Sequence, residues 1–181
     1  MESSIVLLGI AKILFGIFVG AAGIYVSARG LHRLLGSGST GAHQREGNIA
    51  FGILQAGSLI ALGLLMQHAV MATFSAIDLM QRPSGMSWLA ARHVLTYASI
   101  HVVVSAIVSA LVLALGTWLF SRLTRDVDEM EEIGKGNIAP ALVLAAVMVV
   151  LALMTAPGLQ TTLDGLLPLP TLGHGEIMAP S

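Results

Sequence analysis

The chain has no cysteine and few charged residues, and each shortage excludes a class of protein. Without cysteine there can be no disulfide framework. Charged residues make up 10% of the 181 residues, whereas a soluble domain carries roughly 25%. So little charge cannot cover a water-exposed surface of ordinary size, and the composition therefore indicates a membrane protein.

The few charges are clustered, which leaves long stretches of the chain apolar. No Asp, Glu, Lys or Arg occurs in residues 47–77, 93–121 or 136–163, and each window exceeds the roughly 20 residues needed to cross a bilayer. A fourth apolar segment is interrupted only by Lys12. We predict an all-α integral membrane protein with four transmembrane helices, at residues 5–27, 49–70, 94–120 and 138–156. Pro157-Gly158 is expected to end the last helix, because proline lacks a backbone N–H.

Basic residues in the connecting segments predict the orientation of these helices. Six basic residues follow the first and third helices: Arg29, Arg33, Arg45, Arg122, Arg125 and Lys135. Only two, Arg82 and Arg92, lie in the middle connection. Because cytoplasmic loops carry the excess of lysine and arginine, we expect loops 28–47 and 122–136 in the cytoplasm. Both termini then lie in the periplasm of a bacterial inner membrane. The start of the chain is acidic, unlike a signal peptide, so we expect the first segment to be retained.

The string GNIA occurs twice, at residues 47–50 and 136–139, an offset of 89 residues. The same shift aligns the helix boundaries and pairs small residues on the first and third helices: Gly16 with Ser105, and Gly20 with Ser109. Chance repetition of four common residues would not produce this alignment, so we interpret the chain as a duplication. Because the first and third helices run the same way, the copies form two parallel-repeat helical hairpins. The predicted divisions are residues 1–70 (first hairpin), 71–92 (interfacial connection), 93–157 (second hairpin) and 158–181 (loosely ordered outer tail).

Each GNIA string opens a predicted helix, which gives its asparagine a local role. The first four N–H groups of a helix have no partner within it, and an asparagine at the cap accepts a hydrogen bond from one of them. We therefore predict Asn48 and Asn137 as helix caps, each preceded by a conformationally permissive glycine. A functional alternative stays open, because two helix N-termini could bind an anion such as a lipid phosphate.

Tandem helical hairpins with a GN-x-A string at each second helix resemble a bacterial membrane family, domain of unknown function 350, which includes the YjfL-type bacterial inner-membrane proteins. The resemblance extends over nearly the whole chain, with GNIAFGILQAG at residues 47–57 and GNIAPALVLAA at residues 136–146. The first copy has Gly52 where the family has alanine, and the second copy departs through Pro140. The resemblance implies an integral inner-membrane protein without an assigned activity.

Lys12 is the one formal charge within a predicted helix, where a central lysine costs about 3 kcal/mol on insertion scales. Three interpretations stay open: the side chain snorkels to the interface, makes a polar contact between helices, or takes part in transport or proton relay. His101 occupies the equivalent position in the second hairpin. We hypothesise that Lys12, His101 and Gln55 line one polar intramembrane seam.

The sequence shows no apparatus for catalysis, and we expect no enzymatic activity. It contains no HExxH, GxSxG or GxxxxGK motif, which are typical of zinc, nucleophile and phosphate sites. The six histidines are scattered, so we expect neither a metal nor a cofactor. A net charge of −1 argues against nucleic acid as a partner. The acidic run at residues 126–132 is expected to be a solvated loop face.

Two functions from different classes follow from this architecture. The first is a non-enzymatic packing or interaction module of the bacterial envelope. Its partners are the lipid bilayer and either further copies of the chain, as a homo-oligomer, or other envelope proteins. The alternative is a small transporter or channel subunit whose polar path passes Lys12 and His101. Flux of ions or protons in vesicles favours the alternative, whereas stable stoichiometric partners favour the first.

Overall fold

The computed structural model describes residues 2–34, 47–81, 88–123 and 129–166. These residues form five helices: α1 (Glu2–Leu34), α2 (Ile49–Gln81), α3 (Trp88–Leu123), the short α4 (Glu129–Gly134) and α5 (Ile138–Leu166). Four of them are long and apolar enough to span a membrane, over Val6–Gly30, Ile49–Asp78, Arg92–Arg122 and Ile138–Leu166. The prediction of an all-α chain with four long apolar helices is therefore confirmed.

The helices extend beyond the apolar segments predicted from the sequence. The second predicted segment ends at residue 70, but α2 continues to Gln81. The third begins at residue 94, but α3 starts at Trp88. About 20 residues suffice to cross the hydrocarbon, so α2 and α3, with 33 and 36 residues, are longer than a membrane crossing requires. Hydropathy therefore detects the membrane crossing but not the whole helix.

The end predicted for the last helix is wrong. α5 passes through Pro157 and Gly158 and continues to Leu166. An interior proline costs roughly 3 kcal/mol. Leu159 and Leu163, in the turns that follow, are buried in the core, and burying one leucine side chain contributes about 1.5–3 kcal/mol. Burial of the two leucines therefore offsets the cost of the proline and keeps the chain helical.

α2 lies at the centre of the bundle. It packs along both α5 and α3, while α1 packs against α2 and makes a smaller contact with α3. α2 and α5 approach closely at Gly57, where an added Cβ would lie 2.8 Å from the Cα of Ala145. Small residues permit such close contact between membrane helices. A side chain at position 57 would force the two helices apart.

α1 lies at the edge of the bundle, outside the core formed by α2, α3 and α5. Only 11% of its membrane-spanning window is buried, against 50% for α2. Large apolar side chains, including Leu7, Phe18 and Tyr25, are exposed on its outer side. In water such a surface would be unfavourable, but lipid or another apolar helix accommodates it. α1 thus presents most of its surface to the surroundings of the bundle.

Candidate functional site

The two GNIA strings lie at one end of the bundle, which we call the capped end. Gly47 and Gly136 have positive φ angles of 70° and 92°, which glycine adopts without strain. The side-chain oxygen of Asn48 accepts a hydrogen bond of 3.0 Å from the N–H three residues later. That of Asn137 accepts one of 3.2 Å from the N–H two residues later. Both asparagines therefore occupy cap positions, where they satisfy N–H groups that have no partner in the helix.

Asn48 also connects α2 to α4. Its Nδ2 donates hydrogen bonds to the backbone oxygens of Ile133 and Gly134, both at 3.0 Å. These oxygens belong to the last turn of α4, and the Ile133 side chain is buried in the core. One side chain thus joins the start of α2 to the segment that precedes α5. The sequence predicts the cap at Asn48, but this second contact depends on tertiary structure.

Charged residues form a small network beside Asn137. The Nζ of Lys135 lies 3.0 Å from Glu131 and 3.1 Å from Glu132, and Glu132 accepts a further hydrogen bond from Asn137 at 3.3 Å. The hydrogen bonds from Lys135 and Asn137 lower the pKa of Glu132, and those to Glu131 and Glu132 raise the pKa of Lys135. Residues 129–132 of the predicted solvated face begin α4, whereas residues 126–128 lie outside the described residues. The exposed ion pairs contribute little to stability.

Lys12 lies towards the opposite end of the bundle, which we call the far end. Its Nζ lies 2.6 Å from Oδ1 of Asp78, an ion pair that joins α1 to α2. The ammonium group is also 5.4 Å from the ring centroid of Phe74, and that ring contacts Phe15 edge to face. The Lys12 and Asp78 side chains are 22% and 50% exposed. Lys12 therefore makes a polar contact between two helices at the edge of the bundle.

Gln55, the third residue of the predicted seam, lies in the second turn of α2, near the capped end. Asp78, the partner of Lys12, lies 23 residues further along the same helix. At 1.5 Å per residue this separation is about 34 Å. The structure therefore does not bring Lys12 and Gln55 together in one seam.

His101 is completely buried on α3. Its Nδ1 lies 2.9 Å from the backbone oxygen of Tyr97, and the two rings stack with centroids 4.0 Å apart. Because a backbone oxygen only accepts hydrogen bonds, Nδ1 is the donor, and in the neutral ring Nε2 is an acceptor. Among the residues that the structure describes, neither this Nε2 nor the hydroxyl of Ser105 has a hydrogen-bond partner. Such buried polar atoms are rare and require an explanation.

His101 belongs to a polar face of α3, formed by buried side chains at four-residue intervals: Tyr97, His101, Ser105 and Ser109. Residues four apart lie on the same side of a helix. At its Tyr97 end this polar face meets a cavity of about 150 Å³ between α2, α3 and α5, whose polar lining includes His68, Gln160 and Asp164. No group of three or more His, Asp or Glu side chains in the described ranges is placed to hold a metal ion. The sequence analysis misses Tyr97 and Asp164, although the four-residue spacing on α3 is visible in the sequence.

An apolar groove of about 390 Å³ runs along α1 and α2 on the outside of the bundle. Gly16 and Gly20 of α1 and Gly63 of α2 line this α1–α2 groove. A Cβ built on any of these three glycines would meet no atom within 4 Å. Since no part of the chain described here fills the groove, the backbone of another helix could approach it closely.

Residues 4–156 match the family described as Domain of Unknown Function (DUF350). The matched range runs from Ser4 in α1 to Ala156 in α5, and hence includes the polar face and the whole α1–α2 groove. No curated protein and no solved structure matches the chain significantly.

Proposed function

The chain belongs to the DUF350 family, and we propose that it is a non-enzymatic packing module of the bacterial inner membrane. Two tandem helical hairpins associate in the bilayer with further copies of the chain or with other envelope proteins. The excess of lysine and arginine in residues 28–47 and 122–136 supports a cytoplasmic location for these two segments and a periplasmic location for both termini.

The α1–α2 groove is the observation that carries the proposal. Glycine in a helix interior costs roughly 1 kcal/mol relative to alanine, so a glycine is usually retained where a side chain would obstruct something. At Gly16, Gly20 and Gly63 no atom of the described chain comes within 4 Å of the missing Cβ. Contact with a helix of another molecule explains why these positions lack side chains, because membrane helices associate through small residues.

A substitution that fills the groove tests the proposal. Gly20→Leu places a large side chain in it, whereas Ala21→Leu adds a comparable side chain at an exposed position of α1 that does not line the groove. We expect the wild type and Ala21→Leu in lipid nanodiscs to have a protein mass well above the 18.8 kDa of one chain. Gly20→Leu is expected to shift this mass towards that of one chain. A wild-type chain that is monomeric and has no stoichiometric partner would refute the packing function.

A second candidate, a small transporter or channel subunit, is favoured by the buried Nε2 of His101 and hydroxyl of Ser105. In the described chain both atoms lack a hydrogen-bond partner, and their polar face leads to the cavity at Tyr97. A proton or a chain of water molecules could use such positions. Lys12, at the edge of the bundle near the far end, would then lie towards the entrance of the path rather than beside His101.

Flux measurements separate this candidate from the packing module. Proteoliposomes with an imposed proton gradient, tested over roughly pH 5 to 8, where a free imidazole changes charge, would show protein-dependent flux if the path conducts. His101→Leu removes both ring nitrogens and is expected to abolish that flux, whereas the exposed Leu111→Ala is the matched change on the same helix. Flux that is absent, or that is equal in the two variants, would contradict the candidate.

A further inference from the structure

The helices that follow the two GNIA strings bury different faces. One face of α2 is buried against α3 and α5, and we call it the α2 core face. It is formed by Ala50, Leu54, Gly57, Ala61 and Leu65. The residues 89 positions later on α5 form the α5 outer face, which is exposed throughout: Ala139, Val143, Ala146, Val150 and Met154. Three of its side chains, those of Val143, Val150 and Met154, are 53%, 53% and 74% exposed. The surface that is core on α2 is therefore unpartnered on α5.

In the α1–α2 groove the difference is reversed: the surface is open in the first half of the chain and buried 89 positions later. Its glycines on α1 and α2 are open, but the residues 89 positions later on α3 and α5 are completely buried: Ser105, Ser109 and Ala152, corresponding to Gly16, Gly20 and Gly63. They are buried because α2 packs against both α3 and α5. The surface of α3 and α5 that corresponds to the groove is thus covered, within the chain, by the α2 core face.

One arrangement accounts for both observations. The second helix of the first half lies against the two helices of the second half, but no helix of the described chain lies in the corresponding groove of the first half. The α5 outer face likewise has no groove to enter. We propose that a second copy of the chain places its α5 outer face in the α1–α2 groove and so repeats, between molecules, the packing formed within one. This inference rests on the proposed packing function and specifies its partner.

The chemistry of the two surfaces supports a second copy as the occupant. The residues that replace those of the α2 core face are also apolar: Val143 for Leu54, Val150 for Ala61 and Met154 for Leu65. Ala146 replaces Gly57, so the neighbouring α5 stands further from its partner helix than α2 stands from α5 within the chain. Because α2 and α5 both start at the capped end, a neighbouring α5 enters the groove in the direction that two identically inserted chains require. The contact joins different surfaces, so copies associate head to tail and form either a ring or an open array.

Cysteine cross-linking tests this arrangement in native membranes. The chain contains no cysteine, so introduced thiols report without background. Within the chain, α2 and α5 approach closely at Gly57 and Ala145. In the proposed contact between copies, Ala146 takes the place of Gly57, 89 positions earlier, and Ala56 of the neighbouring copy takes the place of Ala145, 89 positions later. Both alanines are exposed. Oxidation of the double variant Ala56→Cys/Ala146→Cys is expected to give disulfide-linked dimers and larger species. Ala146 requires a wider separation than Gly57 does within the chain, and such a separation brings the two Cβ atoms into disulfide range.

Two controls accompany the double variant. The single variants Ala56→Cys and Ala146→Cys are expected to give no dimers, because a head-to-tail contact does not bring identical residues together. The matched pair Ala56→Cys/Ala114→Cys uses an exposed alanine that lines the gap between α1 and α3, at a similar distance from the capped end. It is also expected to give no cross-link. Circular dichroism shows whether each variant keeps its helical content.

The possible outcomes separate this inference from the proposed function. Dimers of a single variant would reveal a symmetric contact and overturn the head-to-tail arrangement, as would equal cross-linking of the control pair. No cross-link in the double variant, while its mass in nanodiscs exceeds that of one chain, would overturn the arrangement but leave the packing function standing. No cross-link together with a monomeric wild type would overturn both.

Discussion

Replacing Asn48 with alanine is expected to destabilise the chain more than the same change at Asn137. The two residues stand at equivalent places in the GNIA strings and cap helices of similar length. Asn48 is partly buried and makes three hydrogen bonds, one to its own helix and two to the last turn of α4. Asn137 is exposed and makes one bond to its helix and one, at 3.3 Å, to Glu132. The pair is therefore a matched test of what the contact with α4 contributes.

The magnitude follows from these bonds. Loss of an asparagine cap costs about 1 kcal/mol, and each further hydrogen bond contributes about 0.5–1.5 kcal/mol net. Asn48→Ala should therefore lower the free energy of unfolding by about 2–4 kcal/mol. Asn137→Ala should lower it by about 1 kcal/mol, because its second bond is long and solvated. The expected difference between the two variants is thus about 1–3 kcal/mol.

Reversible unfolding in mixed detergent micelles measures both values on the intact chain. Asn48→Asp separates the contributions, because a carboxylate keeps the cap acceptor but removes both donors to the Ile133 and Gly134 carbonyls. We expect it to lose at least the share that belongs to the α4 contact. Equal losses for Asn48→Ala and Asn137→Ala would refute the reasoning, because the bonds to α4 would then contribute nothing.

Three further predictions concern the packing and the charges. Gly57→Ala should lower the free energy of unfolding by about 1–3 kcal/mol through overpacking. Gly52→Ala, on the same helix but in open space, should leave the free energy of unfolding unchanged or raise it. A Gly57→Ala variant more stable than the wild type would contradict the close approach of the two helices. A double-mutant cycle with Lys12→Met and Asp78→Asn should give a coupling of about 1 kcal/mol or less, because the pair is partly exposed; no coupling at low salt would mean that the ion pair is not formed. The hydrogen bonds that lower the pKa of Glu132 stabilise the fold at pH values above the ordinary pKa of 4.5. This contribution should disappear as the pH falls through the lowered pKa. An unfolding titration of Glu132→Gln should then be flatter across this acidic range than that of the wild type.

The sequence predicts the features that depend on local chemistry. A charge-free window long enough to cross a bilayer forms a helix in lipid whatever lies beside it, because its backbone must be hydrogen-bonded internally. The cap position of Asn48 is equally local, since a glycine with positive φ and an asparagine before the first turn satisfy N–H groups of the same helix. These predictions need no knowledge of which helices are neighbours.

The ion pair of Lys12 illustrates what the sequence does not predict. Its partner Asp78 follows the apolar window that ends at residue 77, so hydropathy places it in a connection rather than in a helix. The structure extends α2 to Gln81 and brings Asp78 to 2.6 Å from Lys12. The order in which helices pack decides this contact, and periodicity carries little information on that order when a helix is apolar on nearly every side.

Lys12 and His101, which lie 89 positions apart in the sequence, have different surroundings in the bundle. α1 lies at the edge of the bundle and α3 within it, so the Lys12 side chain is partly exposed whereas His101 is completely buried. A lysine is tolerable at the edge because its ammonium reaches Asp78 and solvent. On α3 an ammonium at position 101 would be completely buried, whereas the imidazole is tolerated because its Nδ1 donates a hydrogen bond to a backbone oxygen. The difference between the two residues therefore follows from the place of each helix in the bundle, and the edge position of α1 also leaves the α1–α2 groove uncovered by the described chain.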